Sequence, residues 1–187
     1  MLRLRVRQET AVRFGRFRQG QLIEVPAGEC LYVGSALRGL GVRLLRHASR
    51  TDANQPQVIR ADLMEAFVGA GLVKGGVVST GSDVASTGSA IGKRPKRLHW
   101  HIDYLLEQPD VELTHVIALR SDVKLETAVA DWLLQDPATF IIVPGLGASD
   151  DHGRTHLLGV KAAEDWWQGL PDQLMLLNDI AKSANHP

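Results

Sequence analysis

The opening residues alternate apolar and basic side chains, with Leu2, Leu4 and Val6 set between Arg3, Arg5 and Arg7. A period of two marks a strand with one buried face. Val12–Phe17, Leu22–Val25 and Glu29–Gly34 also read as strands, separated by a turn at Arg18–Gln21 and by Pro26-Ala-Gly28, so the first third predicts a small antiparallel sheet. From Gly39 the period lengthens. Leu40, Leu44, Leu45 and Ala48 then share one side of a helix, and Arg43, Arg46, His47 and Arg50 share another at i, i+3, i+4 and i+7. Helices are also predicted over 58–73, 124–135 and 162–183, and strands over 113–119, 140–143 and 156–160. The Gly- and Ser-rich stretch 75–92 holds too little apolar material to fold alone, and 75–95 reads as a loop. The expected architecture is one α/β (α+β) domain over 1–187, a small mixed or antiparallel sheet flanked by helices, with an insertion at about 50–92.

Composition adds limits. The 187 residues are 44% hydrophobic and 22% charged, enough for one domain with its own core. Cys30 is the single cysteine, which excludes an intrachain disulfide and a cysteine-rich zinc site. With no leader-like apolar stretch and no run long enough to span a bilayer, the expectation is a cytoplasmic protein without a membrane partner. The formal net charge is zero, yet residues 1–50 hold ten Arg against three Glu, and residues 101–187 hold five bases against fourteen acids. Such polarity serves a local phosphate-binding face or mutual attraction of the two halves; it does not serve long-range capture of nucleic acid by bulk charge.

The chemistry-bearing residues cluster in a few places. His99, His101 and Asp103 would share one face on a strand and could hold a metal there, whereas on a helix His99 and Asp103 form an i, i+4 pair able to orient an imidazole. A packed and capped helix start is the plain structural reading of the same residues. Arg43, Arg46, His47 and Arg50, with Lys96 and Arg97, form either a phosphate track or a solvated basic face. Glu126 falls in the first turn of its predicted helix, where any acid is favoured by the helix dipole. Gly145-Leu-Gly147 lacks the third glycine of a dinucleotide fingerprint, and Cys30 reads as inert core.

Tyr32-Val-Gly-Ser-Ala36, Arg43 and His47 on the next helix, and the run Lys96-Arg-Leu-His-Trp-His-Ile-Asp-Tyr-Leu-Leu106 together resemble the DUF123 family, which is grouped with GIY-YIG-like nuclease domains. The likeness runs from the first strand to the segment joining Ser149-Asp150 to His156. It implies a sheet carrying a Tyr-x-Gly strand, an Arg on the following helix and a Glu on a later helix that holds one divalent metal, Mg²⁺ or Mn²⁺. Tyr32, Gly34, Arg43 and Glu126 match those parts. It departs in two places: residues 1–7 contain no Gly-x-Tyr, and Asp151 and Gly153, with His152 between, stand where the family carries cysteines. Asp151, His152 and His156 are a possible replacement ligand set.

The resemblance implies a metal-dependent endonuclease acting on nucleic acid, DNA before RNA. Tyr32, Arg43, His47, His99, His101 and Asp103 are its catalytic candidates, Glu126 its metal ligand, and Gly34, Ser35, Arg46, Arg50, Lys96 and Arg97 its nucleic-acid contacts. Ser149, Asp150 and His156 are further site candidates. Two alternatives stand beside it: an inactive nucleic-acid-binding module of the same fold, and a zinc metallohydrolase using the His-x-His-x-Asp residues.

Overall fold

The computed structural model describes residues 1–73, 96–148 and 154–185. Alternation sorts the strands as the sequence pattern requires. β1 (Leu2–Val6) pairs antiparallel with β4 (Gly28–Tyr32) on one side and β5 (Val111–Val116) on the other, while β7 (Leu157–Val160) joins β4 to β6 (Thr139–Ile141). The resulting sheet has the order β5-β1-β4-β7-β6 and is antiparallel throughout. β2 (Thr10–Arg13) and β3 (Leu22–Val25) form a separate two-stranded sheet, so the single sheet expected for the first third is divided in two. β2 is shorter than the expected Val12–Phe17 strand. The chain leaves it through a turn in which Arg18 and Gln19 take positive φ.

Among the described residues five α-helices complete the fold: α1 (Leu40–His47), α2 (Arg60–Gly69), α3 (His101–Leu106), α4 (Glu126–Gln135) and α5 (Glu164–Asn185). The two faces of the sheet are covered differently. Leu2, Leu4, Cys30, Tyr32, Leu113 and Leu157 pack into a core with α1, α2, α3 and the β2–β3 hairpin. Leu31, Val33, Leu158 and Val160, displaced by one residue and therefore on the opposite face, pack against α4 and α5. The segment expected as an insertion is in part structural, since α2 supplies Leu63 and Phe67 to the first core. Loop 75–95 lies outside the described residues, as do Ser149, Asp150, Asp151 and His152.

The charge polarity resolves partly into internal pairing. Arg3 binds Glu29 at 2.9 Å, approaches Glu164 at 3.5 Å and lies 4.0 Å over the Trp167 ring, while Arg7 reaches Glu112 at 3.0 Å. Arg3 thus anchors α5 to the second face of the sheet. Among the described residues no helix is long and apolar enough to cross a membrane.

Because Leu4 is fully buried in a strand paired on both sides, Leu4→Ala is expected to lower unfolding stability by about 2–5 kcal/mol. A urea melt followed by far-UV circular dichroism measures it; an unchanged midpoint would contradict the placement of the core.

Candidate functional site

The site starts where β4 ends. Tyr32 is buried, and its ring leans across Gly34: a Cβ added at Gly34 would stand 2.9 Å from Tyr32 Cε1. The Tyr-x-Gly spacing therefore has a steric cause, since residues two apart on a strand share a face and only glycine leaves room there for the tyrosine ring. The chain then turns at Ser35. The Ser35 carbonyl accepts a hydrogen bond from Arg43 Nη1 at 2.8 Å, and its hydroxyl donates to Glu126 Oε2. The other Glu126 oxygen faces His156 Nδ1 at 3.2 Å. That hydrogen bond from His156 is the main reason the Glu126 carboxyl sits below its usual range; burial opposes it, and Ser35 and the Arg43 charge add to it.

Tyr32, Arg43, His47 and Glu126 line one cavity of about 400 Å³. Burial pushes the Tyr32 phenol up to about 12, with the nearby Arg43 pulling the other way, so the hydroxyl stays protonated at neutral pH. The Arg43 guanidinium lies 4.1 Å over the Trp100 ring, and that of Arg46 lies 4.6 Å from the same ring. The neutral indole beneath it and the Ser35 carbonyl together hold the Arg43 guanidinium in place.

Behind the cavity wall lies Asp103, which is fully buried. Its two oxygens take Arg46 at 3.1 and 3.0 Å, His47 Nδ1 at 3.0 Å, and the backbone N–H groups of His99 and Trp100 at 3.0 and 3.1 Å. Burial alone would raise its pKa, but the hydrogen bond from His47, the neighbouring positive charges and the His99 N–H carry it well below the usual carboxylate range. Burial holds His47 below the ordinary histidine value against the pull of Asp103. With Nδ1–H donated to Asp103, the Nε2 lone pair remains for the cavity that His47 lines.

The sequence candidates thus separate. The basic helix face is not a continuous track: Arg46 is bound to Asp103, and α1 stops before Arg50, which instead donates to the carbonyls of Leu106, Gln108 and Val111. Lys96 is buried, with Nζ on the Ser49 carbonyl at 2.7 Å and 3.3 Å from Glu107. Arg97 and His99 are exposed beside Trp100, the His99 ring edge-on to the indole at 4.9 Å. The expected His99–Asp103 ring pair is replaced by His47–Asp103, because Asp103 takes the backbone of His99.

The His-x-His-x-Asp residues do not converge. α3 begins at His101 and splits them, and His101 Nδ1 accepts the Gly147 N–H at 3.0 Å, buried below its ordinary pKa by desolvation. Among the described residues no three His, Cys, Asp or Glu side chains could hold a metal ion together, which leaves the zinc metallohydrolase without a described donor set. Trp100 as the support of Arg43, and the Ser35–Glu126–His156 link, have no local sequence signal: both join residues distant in the chain.

A family model described as "Domain of unknown function DUF123" matches residues 1–175. The chain belongs to the DUF123 family. No curated protein and no solved structure matches it. The DUF123 match spans every element lining the cavity, from β1 through Leu174 of α5.

Two measurements check this geometry. Because the folded pKa of Asp103 lies below the unfolded value of about 3.9, its contribution to stability is present above about pH 4 and is lost as pH falls through the folded value. Asp103→Ala should therefore cost about 3–5 kcal/mol at neutral pH and flatten the acid limb of the stability profile; an acid limb identical to wild type would refute the network. In ultraviolet titration the Tyr32 phenol should ionise near 12, and the stability due to its burial should be lost as pH rises from about 10. The band must vanish in Tyr32→Phe.

Proposed function

We propose that this DUF123 domain hydrolyses phosphodiester bonds in nucleic acid, DNA before RNA, as a GIY-YIG-like endonuclease using one divalent ion, Mg²⁺ or Mn²⁺. The observation that carries the reading is the meeting of Tyr32 from β4, Arg43 and His47 from α1 and Glu126 from α4 in one cavity wall. A phosphodiester needs a cation for its oxygens, a group to take the nucleophile's proton and a group to return one to the leaving oxygen.

The residues present fit a hard divalent cation. Glu126 is the residue that would hold it, as an ionised oxygen donor in the cavity wall, the donor type that hard divalent ions take. Such an ion supplies Lewis-acid neutralisation of charge on the phosphate oxygens. Arg43, held over Trp100, clamps a phosphate oxygen with the N–H groups that Ser35 and Tyr32 leave. His47 accepts a proton at Nε2 from the attacking water, with Asp103 fixing the tautomer and stabilising the imidazolium. The Tyr32 hydroxyl, protonated at neutral pH, gives its proton to the leaving oxygen, and water restores it while His47 releases the proton taken from the nucleophile.

One observation favours a second reading, an inactive binding module of the same fold. The register places Leu2 opposite Tyr32, and residues 1–7 contain no tyrosine, so β1 contributes no second phenol beside the first.

Cleavage of labelled single-stranded, duplex and branched DNA and RNA, with Mg²⁺, Mn²⁺ or EDTA, separates the two. Metal-dependent cleavage is expected from the wild type, reduced about 10²–10³-fold in Arg43→Ala and in Glu126→Gln. Full activity in Glu126→Gln would overturn the assignment. Binding without cleavage by any preparation would establish the module.

A further inference from the structure

The cavity is larger and more apolar than a phosphate site requires. Tyr32, Ser35, Arg43, His47 and Glu126 supply polar lining, and the wall also includes the apolar Val33, Leu40, Ile117, Leu119, Leu125 and Val129. Beyond Arg43, His47 and Glu126, the charged lining residues are Asp122 and Lys124, both with exposed side chains that place them at the rim. About 400 Å³ of space falls within the range of pockets that enclose a small organic ligand, roughly 300–1,000 Å³, and such pockets pair apolar walls with a few placed polar groups. A phosphate ion alone would leave most of that wall in contact with water.

Resting on the phosphodiester reading above, we infer that the apolar chamber receives a nucleobase adjoining the scissile phosphate, so that the substrate is an unpaired or extrahelical nucleotide. The covalent connection supplies the reason. A phosphate held by Arg43 carries a nucleoside on each side, and a base next to the chamber can enter it only when it is free of its stack and partner. A base in an intact duplex is kept out by stacking and pairing, whereas one in a bulge, flap or single strand is already free. The aliphatic side chains of the wall offer no hydrogen bond to a base edge, so a base seated on them is selected for its unpaired state and different bases are tolerated.

The test uses the full chain in EDTA, so that binding is read without cleavage. Fluorescence anisotropy compares three labelled DNA probes: a fully paired duplex, the same duplex with one unpaired 2-aminopurine, and a single strand. The unpaired probes should bind about tenfold more tightly than the paired duplex, because the protein does not have to open them. The 2-aminopurine emission should shift on binding. Leu119→Trp fills the chamber at a half-buried position and should reduce the preference to within about threefold and suppress the emission change. Equal binding of paired and unpaired probes, or no emission change in the wild type, overturns the inference whether or not the variant folds. Parallel reactions with Mg²⁺ or Mn²⁺ keep the two claims apart. A preference without cleavage removes the nuclease reading alone; cleavage of paired and unpaired probes alike, without a preference, removes this inference alone.

Discussion

The carboxylate of Asp103, held ionised and out of contact with water, is the constraint on which the site depends. An unpaired buried charge would cost several kcal/mol. Asp103 avoids that cost with the Arg46 fork, the His47 ring and two backbone N–H groups at the start of α3. As the third residue of a short helix it also closes the helix entrance, since its acceptors meet amides that have no partner within the helix. The same bonds set the rotation of α1. With Arg46 and His47 turned back toward Asp103, Arg43, one turn earlier, is carried to the cavity and stacked on Trp100, the residue that precedes α3.

The site also joins the two layers of the molecule. Tyr32 belongs to the core beneath α1 and α3, whereas Glu126 opens α4, which packs on the opposite face of the sheet. They meet because β4 ends at Tyr32 and the following chain passes between the layers. Ser35 supplies both connections there, its carbonyl to Arg43 and its hydroxyl to Glu126. His156, immediately before β7, braces Glu126 from the other side. A cation, a carboxylate, an imidazole and a phenol are thus held on fixed elements around one cavity, the preorganisation that charge stabilisation requires.

Much of the architecture was legible from periodicity. Burial of one strand face dictates the alternation at Leu2, Leu4 and Val6, and the i, i+4 spacing of Leu40, Leu44 and Ala48 marks α1. Where expectation and structure parted, the cause was a partner distant in sequence. Arg46, Arg50 and Lys96 look like a basic surface when read locally. Each is committed to an oxygen brought in by the fold: Arg46 to a carboxylate 57 positions away, Arg50 to carbonyls at the end of α3 and the start of β5, and Lys96 to a carbonyl 47 positions away. Periodicity identifies a shared face but not what covers it. The match of His47 with Asp103, in place of His99 with Asp103, has the same origin: backbone capping at α3 uses His99 through its amide and leaves the ring outside.

By itself the sequence determined most of the strands and helices, the single cysteine and the family, because these follow from local spacing, residue chemistry and a distinctive run around Trp100. Tertiary structure alone decided which cations are committed to oxygens of the fold, which imidazole carries a carboxylate behind it, and that polar and apolar side chains line one cavity. The reason is electrostatic and geometric together. Burial charges a price for every unpaired ion, and the pairings that avoid it form between residues that only the folded chain brings within hydrogen-bond reach.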